Sequence, residues 1–136
     1  MLRSLSIALG AVLISTAATA VSRSEKVQAG EGDLAKLVEG RVAGKPVKCI
    51  MNRNVRDSDI IEGTAIVYKT NGNGVFYVNR PAIGGESLHD DDILITRTFT
   101  NQLCNLDTAR LVARGSLIDR GFVSLGEFVP YTKPRR

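Results

Sequence analysis

The sequence has no tryptophan, few other aromatic residues, one histidine and two cysteines among its 136 residues. Nucleic-acid-binding domains usually combine a clustered basic face with aromatic side chains, whereas here the positive charge is scattered apart from the tail Lys133–Arg136. A single histidine and the lack of a C-x-x-C pair leave no common metal or thiol-redox motif. No serine lies in a G-x-S-x-G turn, so the nucleophile elbow of α/β-hydrolases is also missing. The sequence therefore predicts no cofactor and no nucleic-acid partner.

The beginning of the chain has the pattern of a secretory signal peptide. A short basic start at Met1–Arg3 precedes the apolar run Leu5–Ile14, and the small residues Ala18–Ala20 match the A-x-A site of signal peptidase. The alternative is an uncleaved membrane anchor, but a spanning helix needs about 20 apolar residues and this run is shorter. We therefore predict cleavage after Ala20 and export to the periplasm or the medium.

The predicted mature chain has the size of one domain, which is typically about 100–150 residues. Cleavage removes a single charged residue, Arg3, so the formal net charge falls from +4 to +3. No other stretch is long and apolar enough to span a bilayer, so we expect a soluble mature protein. The polar segment Val21–Gly32 predicts a flexible N-terminus, and residues 33–136 are expected to form a single β-rich domain.

The two cysteines, Cys49 and Cys104, are predicted to form a disulfide because an oxidising compartment favours the bridge. Such a bridge would close a loop of about 55 residues and stabilise the fold by roughly 4 kcal/mol in the chain-entropy model. The alternative is a pair of separate buried thiols. In the disulfide, neither sulfur is available as the thiolate that nucleophilic attack requires.

Local sequence signals predict one short helix and one hairpin. Apolar residues at helical spacing lie within Asp33–Glu39, where Asp33 can cap the start and Gly40 can close the end. The Asn-Gly pairs of Asn71–Gly74 favour the positive φ angles of a hairpin turn. They lie inside an expected antiparallel meander over residues 59–80.

The other β-strand candidates are short and separated by turn signals. Pro81–Asp92 is predicted as a loop and Asn101–Asp107 as a turn around Cys104. The fold class is therefore predicted as mainly β: a small antiparallel β-barrel or roll with one short N-terminal helix. The predicted strands are Val47–Met51, Asp59–Ile61, Thr64–Lys69, Val75–Asn79, Ile93–Phe99, Leu111–Ala113, Phe122–Leu125 and Glu127–Tyr131.

Two groups of acidic residues are candidates for chemistry. His89–Asp92 could offer carboxylate ligands to a hard cation, although calcium loops space their carboxylates at alternate positions, and the other interpretation is a solvated acidic loop. Asp57–Asp59 with Glu62, beside Arg53 and Arg56, could hold paired acid and base residues. The other interpretation of this second group is a salt-bridged surface turn. Neither group by itself identifies a catalytic, cofactor-binding or metal-binding residue.

Arg97 is in phase with the apolar residues of the predicted strand Ile93–Phe99. If the side chain points inward, it needs a carboxylate partner, for which Asp57, Asp59 or Asp92 could serve. If a bulge interrupts the strand, Arg97 points to solvent instead.

A set of short motifs between about Leu34 and Tyr131 is similar to segments of known proteins. The motifs are Gly40–Ile50, Val55–Ser58, Gly63–Tyr68, Val78–Pro81, Thr96–Thr98, Gln102–Cys104, Gly121–Val123 and Phe128–Pro130. They resemble a family of small exported proteins of unknown function from proteobacteria of the sphingomonad and xanthomonad kind. The resemblance implies a periplasmic, two-cysteine β-domain and carries over Cys49 and Cys104, but it implies no activity.

These patterns together predict a non-enzymatic envelope binding or accessory module whose partner is an envelope protein or polymer. The loops Gly72–Gly74 and Ile83–Asp92 are the expected contact regions, because function concentrates on loops held by a rigid scaffold. One alternative is a small hydrolase or cation-dependent enzyme that uses acidic residues near Asp57 or Asp90, and another is a purely structural or inhibitory partner protein. A deep pocket lined by convergent carboxylates would favour the enzyme, and a shallow apolar patch would favour a protein partner.

Overall fold

One α-helix, two short 3-10 helices and ten strands form the structure over residues 23–72 and 74–135, as described by a computed structural model. The predicted signal peptide lies outside these residues, so its cleavage stays a prediction. No helix among the described residues has the length and apolar character required to cross a bilayer. The elements are α1 (Arg23–Leu37), β1 (Val42–Ala43), β2 (Cys49–Met51), β3 (Val55–Ile61), β4 (Ala65–Thr70), β5 (Phe76–Asn79), β6 (Asp92–Thr96), β7 (Gln102–Cys104), β8 (Thr108–Ala113), β9 (Asp119–Ser124) and β10 (Phe128–Thr132).

The strands pair into three antiparallel sheets, which confirms a mainly β fold with one N-terminal helix. The largest sheet has the order β1-β10-β5-β4-β3, a second contains β2 and β7, and the third has the order β6-β8-β9. Among the described residues, none of these sheets closes into a barrel, so the predicted β-barrel is not found. β3 and β6 are terminal strands of their sheets, and no backbone hydrogen bond between described residues joins them.

The N-terminal helix is longer than the sequence predicts. Residues 23–32, expected to be part of a flexible terminus, are helical, and α1 runs over Arg23–Leu37 rather than Asp33–Glu39. The prediction was wrong because only Gly30 and Leu34 are buried in α1, so hydrophobic periodicity gives almost no signal there. The predicted closing residue, Gly40, lies after the helix with φ of +74°.

Tertiary contacts hold the polar residues 23–32 of α1 on the sheet. The Arg80 guanidinium donates two hydrogen bonds to the Glu31 carboxylate, at 2.5 and 2.9 Å. Lys26 Nζ lies 3.9 Å from a carboxylate oxygen of Glu62 in the turn between β3 and β4. Because isolated helices of this length are marginal in water, these contacts and the buried residues decide its position.

The meander predicted over residues 59–80 is confirmed as β3, β4 and β5. Each strand pairs antiparallel with the next, with Ile60 opposite Ile66 and Val67 opposite Val78. The first turn has Gly63 at φ of +61°, and the hairpin turn has Gly72 at φ of +79°. A residue with a Cβ atom rarely adopts these angles, which explains why local sequence patterns find both turns.

The five-stranded sheet is apolar on both faces. On one face, Ala65, Val67 and Val78 pack against Leu34 of α1. The other face contributes to the main core, which all three sheets share. That core contains Ile50, Ile66, Tyr68, Leu88, Leu103, Ala109, Leu111, Val123, Leu125 and Phe128.

The disulfide joins the two strands of the smallest sheet. Cys49 lies directly opposite Cys104 in the pairing of β2 with β7, and their sulfur atoms are 2.08 Å apart. Residues 102–104, predicted as part of a turn, therefore form a strand. The turn follows it, where the Cys104 N–H donates to Asp107 Oδ2 at 2.7 Å. The disulfide thus holds β2 and β7 together, with Ile50 and Leu103 buried beside it.

Strand β6 is shorter than predicted, which settles the orientation of Arg97. The strand ends at Thr96 rather than Phe99, and Arg97 and Phe99 are both exposed. No ion pair between Arg97 and Asp57, Asp59 or Asp92 is present among the described residues. The inward orientation is therefore wrong, because Leu94 packs against the core whereas Ile95, in phase with Arg97, is itself exposed.

Candidate functional site

A cleft rich in aspartate lies where α1, β3 and the start of β6 meet, and we call it the acidic cleft. It has a volume of about 640 Å³. Five aspartates line it, against one lysine and one arginine. The full lining is Asp33, Lys36, Leu37, Asp57, Ser58, Asp59, Ile60, Ile61, Asp90, Asp92 and Arg114.

Strand alternation places the carboxylates of β3 in the cleft. Ile60 packs with the main core, whereas Ile61 packs with the cluster under α1. Because side chains alternate between the faces of a strand, Asp57 and Asp59 belong to the face of Ile61, toward the helix. The helix contributes Asp33 to the same cleft, so this residue does more than begin a predicted helix.

The two acidic groups found in the sequence converge at this cleft. Asp57 comes from the group Asp57–Asp59 and Asp90 from the group His89–Asp92, and both line the same cavity. Ser58, Asp59 and Asp92 also line it, whereas Glu62 lies outside, 3.9 Å from Lys26 and 3.8 Å from His89 Nδ1. The sequence therefore indicates the two residues but not their proximity.

Three of the five aspartates are already paired with cations. Asp33 lies 3.3 Å from Lys36 and Asp59 lies 2.5 Å from Lys69. The third, Asp92, pairs with Arg120. Asp57 and Asp90 have no cationic side chain within 4.0 Å among the described residues. These two exposed carboxylates are therefore the ones open to an external cation.

Asp92 is a buried carboxylate at the edge of the acidic cleft. Its side chain is fully buried, and its Oδ2 accepts a hydrogen bond from the His89 N–H at 3.2 Å. The Nε of Arg120 lies 3.4 Å from Oδ1. No donor in the described part of the chain makes a hydrogen bond to Oδ1. Oδ1 thus has an ion-pair partner but no hydrogen-bond donor, which is unusual for a buried oxygen.

The residues of the cleft do not form a metal site. Within residues 23–72 and 74–135, no group of three or more histidine, cysteine, aspartate or glutamate side chains could hold a metal ion. The His89–Asp92 group illustrates why, since Asp91 and Asp92 both pair with Arg120 while His89 faces Glu62. A hard cation needs several oxygen ligands around one point, and these side chains have separate partners.

A second cavity of about 290 Å³ lies further along β3. It shares Ser58 with the acidic cleft, and its other lining residues are mostly apolar or uncharged. Burial raises the pKa of Tyr68, so its hydroxyl stays protonated at this cavity. The lining is Asn52, Val55, Ser58, Tyr68, Leu94, Thr96, Thr98 and Leu103.

Several residues of the site were not found from the sequence. Lys36 and Arg114 line the acidic cleft, but they are isolated charges in sequence and carry no motif. The predicted contact loop Ile83–Asp92 contributes Asp90 and Asp92. The other predicted contact loop lies outside the cleft, where the Gly74 carbonyl accepts a hydrogen bond from Arg41.

No family model, curated protein or solved structure matches this chain. The resemblance to exported proteobacterial proteins stays a prediction, and the site has to be interpreted from its own chemistry.

Proposed function

We propose that this protein is a periplasmic binding module that holds a cationic ligand in the acidic cleft. The proposal rests on one observation above the others: Asp57 and Asp90 line one open cavity and have no cationic partner among the described residues. Exposed carboxylates attract cations over about 8–10 Å at physiological ionic strength. A positively charged group in the cleft would give Asp57 and Asp90 the cationic partner that the other three aspartates already have.

Export is the second part of the proposal. Its support is the signal-peptide pattern of Met1–Ala20 together with the disulfide between Cys49 and Cys104. Disulfides persist in oxidising compartments such as the periplasm and are rare in the cytosol. We also infer that the three sheets form a small β-roll around their shared core, with α1 on the outside.

Binding fits the cleft better than catalysis. A carboxylic acid that donates a proton at neutral pH is usually kept in an environment that excludes water. Asp57 and Asp90 are both exposed instead. The two carboxylates therefore have the surroundings of charged recognition groups.

Titration calorimetry with spermine, a small polycation, tests the proposed function on protein purified from the periplasm. We expect binding that weakens as salt is added, because exposed charges are screened. The double variant Asp57→Asn, Asp90→Asn should bind spermine roughly 2- to 30-fold more weakly, since each exposed ion pair contributes about 0.2–1 kcal/mol.

A matched control removes the same charge elsewhere. Glu25 and Glu127 are exposed acidic residues outside the cleft. The variant Glu25→Gln, Glu127→Gln should bind spermine as the wild type does. Equal weakening in both double variants would indicate attraction to net charge alone and would contradict the proposed site.

The convergence of Asp57 and Asp90 also supports the alternative, a small hydrolase. Panels of chromogenic esters, glycosides and phosphate esters test it directly. Hydrolysis that is lost in the Asp57→Asn, Asp90→Asn variant but kept in the Glu25→Gln, Glu127→Gln variant would favour the enzyme over the binding module.

A further inference from the structure

The acidic cleft and the second cavity lie along the unpaired edge of β3, and together we call them the edge groove. β3 ends the five-stranded sheet and β6 ends the three-stranded sheet. Residues of β3 and β6 line both cavities, and Ser58 lines the two together. The open side of the roll is therefore a groove with a strand edge on each side.

An unpaired strand edge presents backbone N–H and C=O groups that an extended peptide can pair with. No backbone hydrogen bond between described residues joins β3 to β6, although the Ser58 N–H donates to Asp57 Oδ1 at 2.8 Å. Recognition by strand addition takes its affinity from the main chain and its specificity from pockets for alternate side chains. The edge groove provides both features.

The lining of the groove changes along its length. At the acidic end, Asp57 and Asp90 have no cationic partner among the described residues, whereas the buried Asp92 is ion-paired with Arg120. At the other end, Leu94 and Leu103 line the second cavity. A strand that fills both ends needs basic side chains at one end and apolar side chains at the other.

Repulsion between like charges argues against the β3 edge of a second copy as the occupant. Antiparallel pairing of two copies of β3 would bring the aspartates of one copy, Asp57 and Asp59, close to the same residues of the other. Like charges opposite each other in a sheet are destabilising. The register irregularity between Val55 and Asp57 further disfavours pairing with an identical edge.

We infer that the cationic ligand is an extended, basic segment of another protein, which adds a strand to the edge of β3 in the edge groove. This inference rests on the proposed function and names its ligand class. The basic side chains of the segment pair with Asp57 and Asp90, while its main chain bonds to β3.

Three probes of similar positive charge separate strand addition from simple attraction between charges. The first is a capped L-peptide whose alternate, groove-facing residues are lysine in one half and valine in the other half, and the second is the same peptide N-methylated at alternate residues, prepared in both registers. The third is spermine, which has no peptide backbone. We expect the parent peptide to bind tightly and at least one N-methylated register to bind roughly 10- to 100-fold more weakly, because two or three main-chain hydrogen bonds are lost.

Amide hydrogen exchange by NMR supplies the structural readout. Alternate amides of residues 56–61 should become protected when the parent peptide is added, whereas those of the central strand β8 should not change. Spermine should leave the exchange of both strands unchanged.

The outcomes distinguish the two proposals. If both N-methylated peptides bind as tightly as the parent, and binding depends on Asp57 and Asp90, the binding module stands and strand addition is wrong. If no probe binds, or if the Asp57→Asn, Asp90→Asn variant binds as the wild type does, the proposed function itself is wrong. A dimer in sedimentation analysis that dissociates on addition of the peptide would assign the groove to a second copy of the chain and would overturn the inference.

Discussion

At Gly30, helix α1 touches the turn that joins β3 to β4. A Cβ atom at this position would lie 1.9 Å from Thr64 Oγ1 and 2.9 Å from the Glu62 carbonyl oxygen. The glycine thus sets how closely α1 approaches the sheet, and with it the position of Asp33 at the acidic cleft. Glycine inside a helix normally lowers stability, so its presence here reflects packing.

Replacing Gly30 by alanine should therefore destabilise the protein despite the better helix propensity of alanine. We expect a loss of about 1–3 kcal/mol, the usual cost of overpacking, as measured by urea unfolding. Gly32 provides the matched control, because a Cβ atom there meets nothing within 4 Å. Gly32→Ala should raise stability by about 0.5–1 kcal/mol. Stabilisation by both alanines would contradict the packing of α1 described above.

At the scale of elements, specific contacts hold α1 on the five-stranded sheet and join β2 to β7. For α1, one such contact is the two-bond pairing of Glu31 with Arg80. For β2 and β7 it is the disulfide. Both contacts join residues far apart in sequence, so each reports on tertiary structure.

The Glu31–Arg80 contact predicts a pH dependence. The hydrogen bond from Arg80 holds the pKa of Glu31 below its ordinary value of 4.5. A carboxyl group with a lowered folded-state pKa stabilises the fold above the unfolded pKa, and this contribution is lost as the pH falls through the folded value. Both side chains are about half exposed, so the contribution is at most about 1 kcal/mol.

Thermal unfolding of wild type and Glu31→Gln between about pH 6 and pH 3 measures this contribution. The variant should unfold at a lower temperature at pH 6, and the difference should shrink as the pH falls below the ordinary pKa of glutamate. Glu25→Gln serves as control, because the exposed Glu25 lies in the same helix and should leave the curve unchanged. A wild-type advantage that persists undiminished at pH 3 would show that Glu31 acts through packing.

The disulfide predicts a loss of stability on reduction. Breaking the Cys49–Cys104 bridge, which spans 55 residues of sequence, should cost about 2–4 kcal/mol. Urea unfolding with and without dithiothreitol measures this cost, and the double variant Cys49→Ala, Cys104→Ala should behave as the reduced protein does. Two free thiols in the unreduced, denatured protein would show that the bridge does not form.

For the whole molecule, the predictable features were those encoded locally. The Asn71–Gly74 hairpin and the turn at Gly63 depend on glycine angles that neighbouring residues reveal. The two cysteines, together with the predicted signal peptide, indicated the disulfide. The helical start of α1 was missed because its residues are polar, and tertiary contacts rather than periodicity hold them.

The candidate site could be predicted only in part. Asp57 and Asp90 stood out as members of acidic runs, but no local pattern links β3 to the loop before β6. Their meeting depends on how the sheets pack around Phe128 and the rest of the core, which is a property of the complete fold. The open edges of β3 and β6 could not be predicted for the same reason, since strand patterns in the sequence do not show which strands lie at the edge of a sheet.

The central claim is that the acidic cleft recognises a cation through Asp57 and Asp90. Calorimetry of spermine binding to wild type, to Asp57→Asn, Asp90→Asn and to Glu25→Gln, Glu127→Gln tests it most directly. We expect salt-sensitive binding that weakens roughly 2- to 30-fold only in the Asp57→Asn, Asp90→Asn variant. Unchanged binding in that variant, or no binding in the wild type, would contradict it.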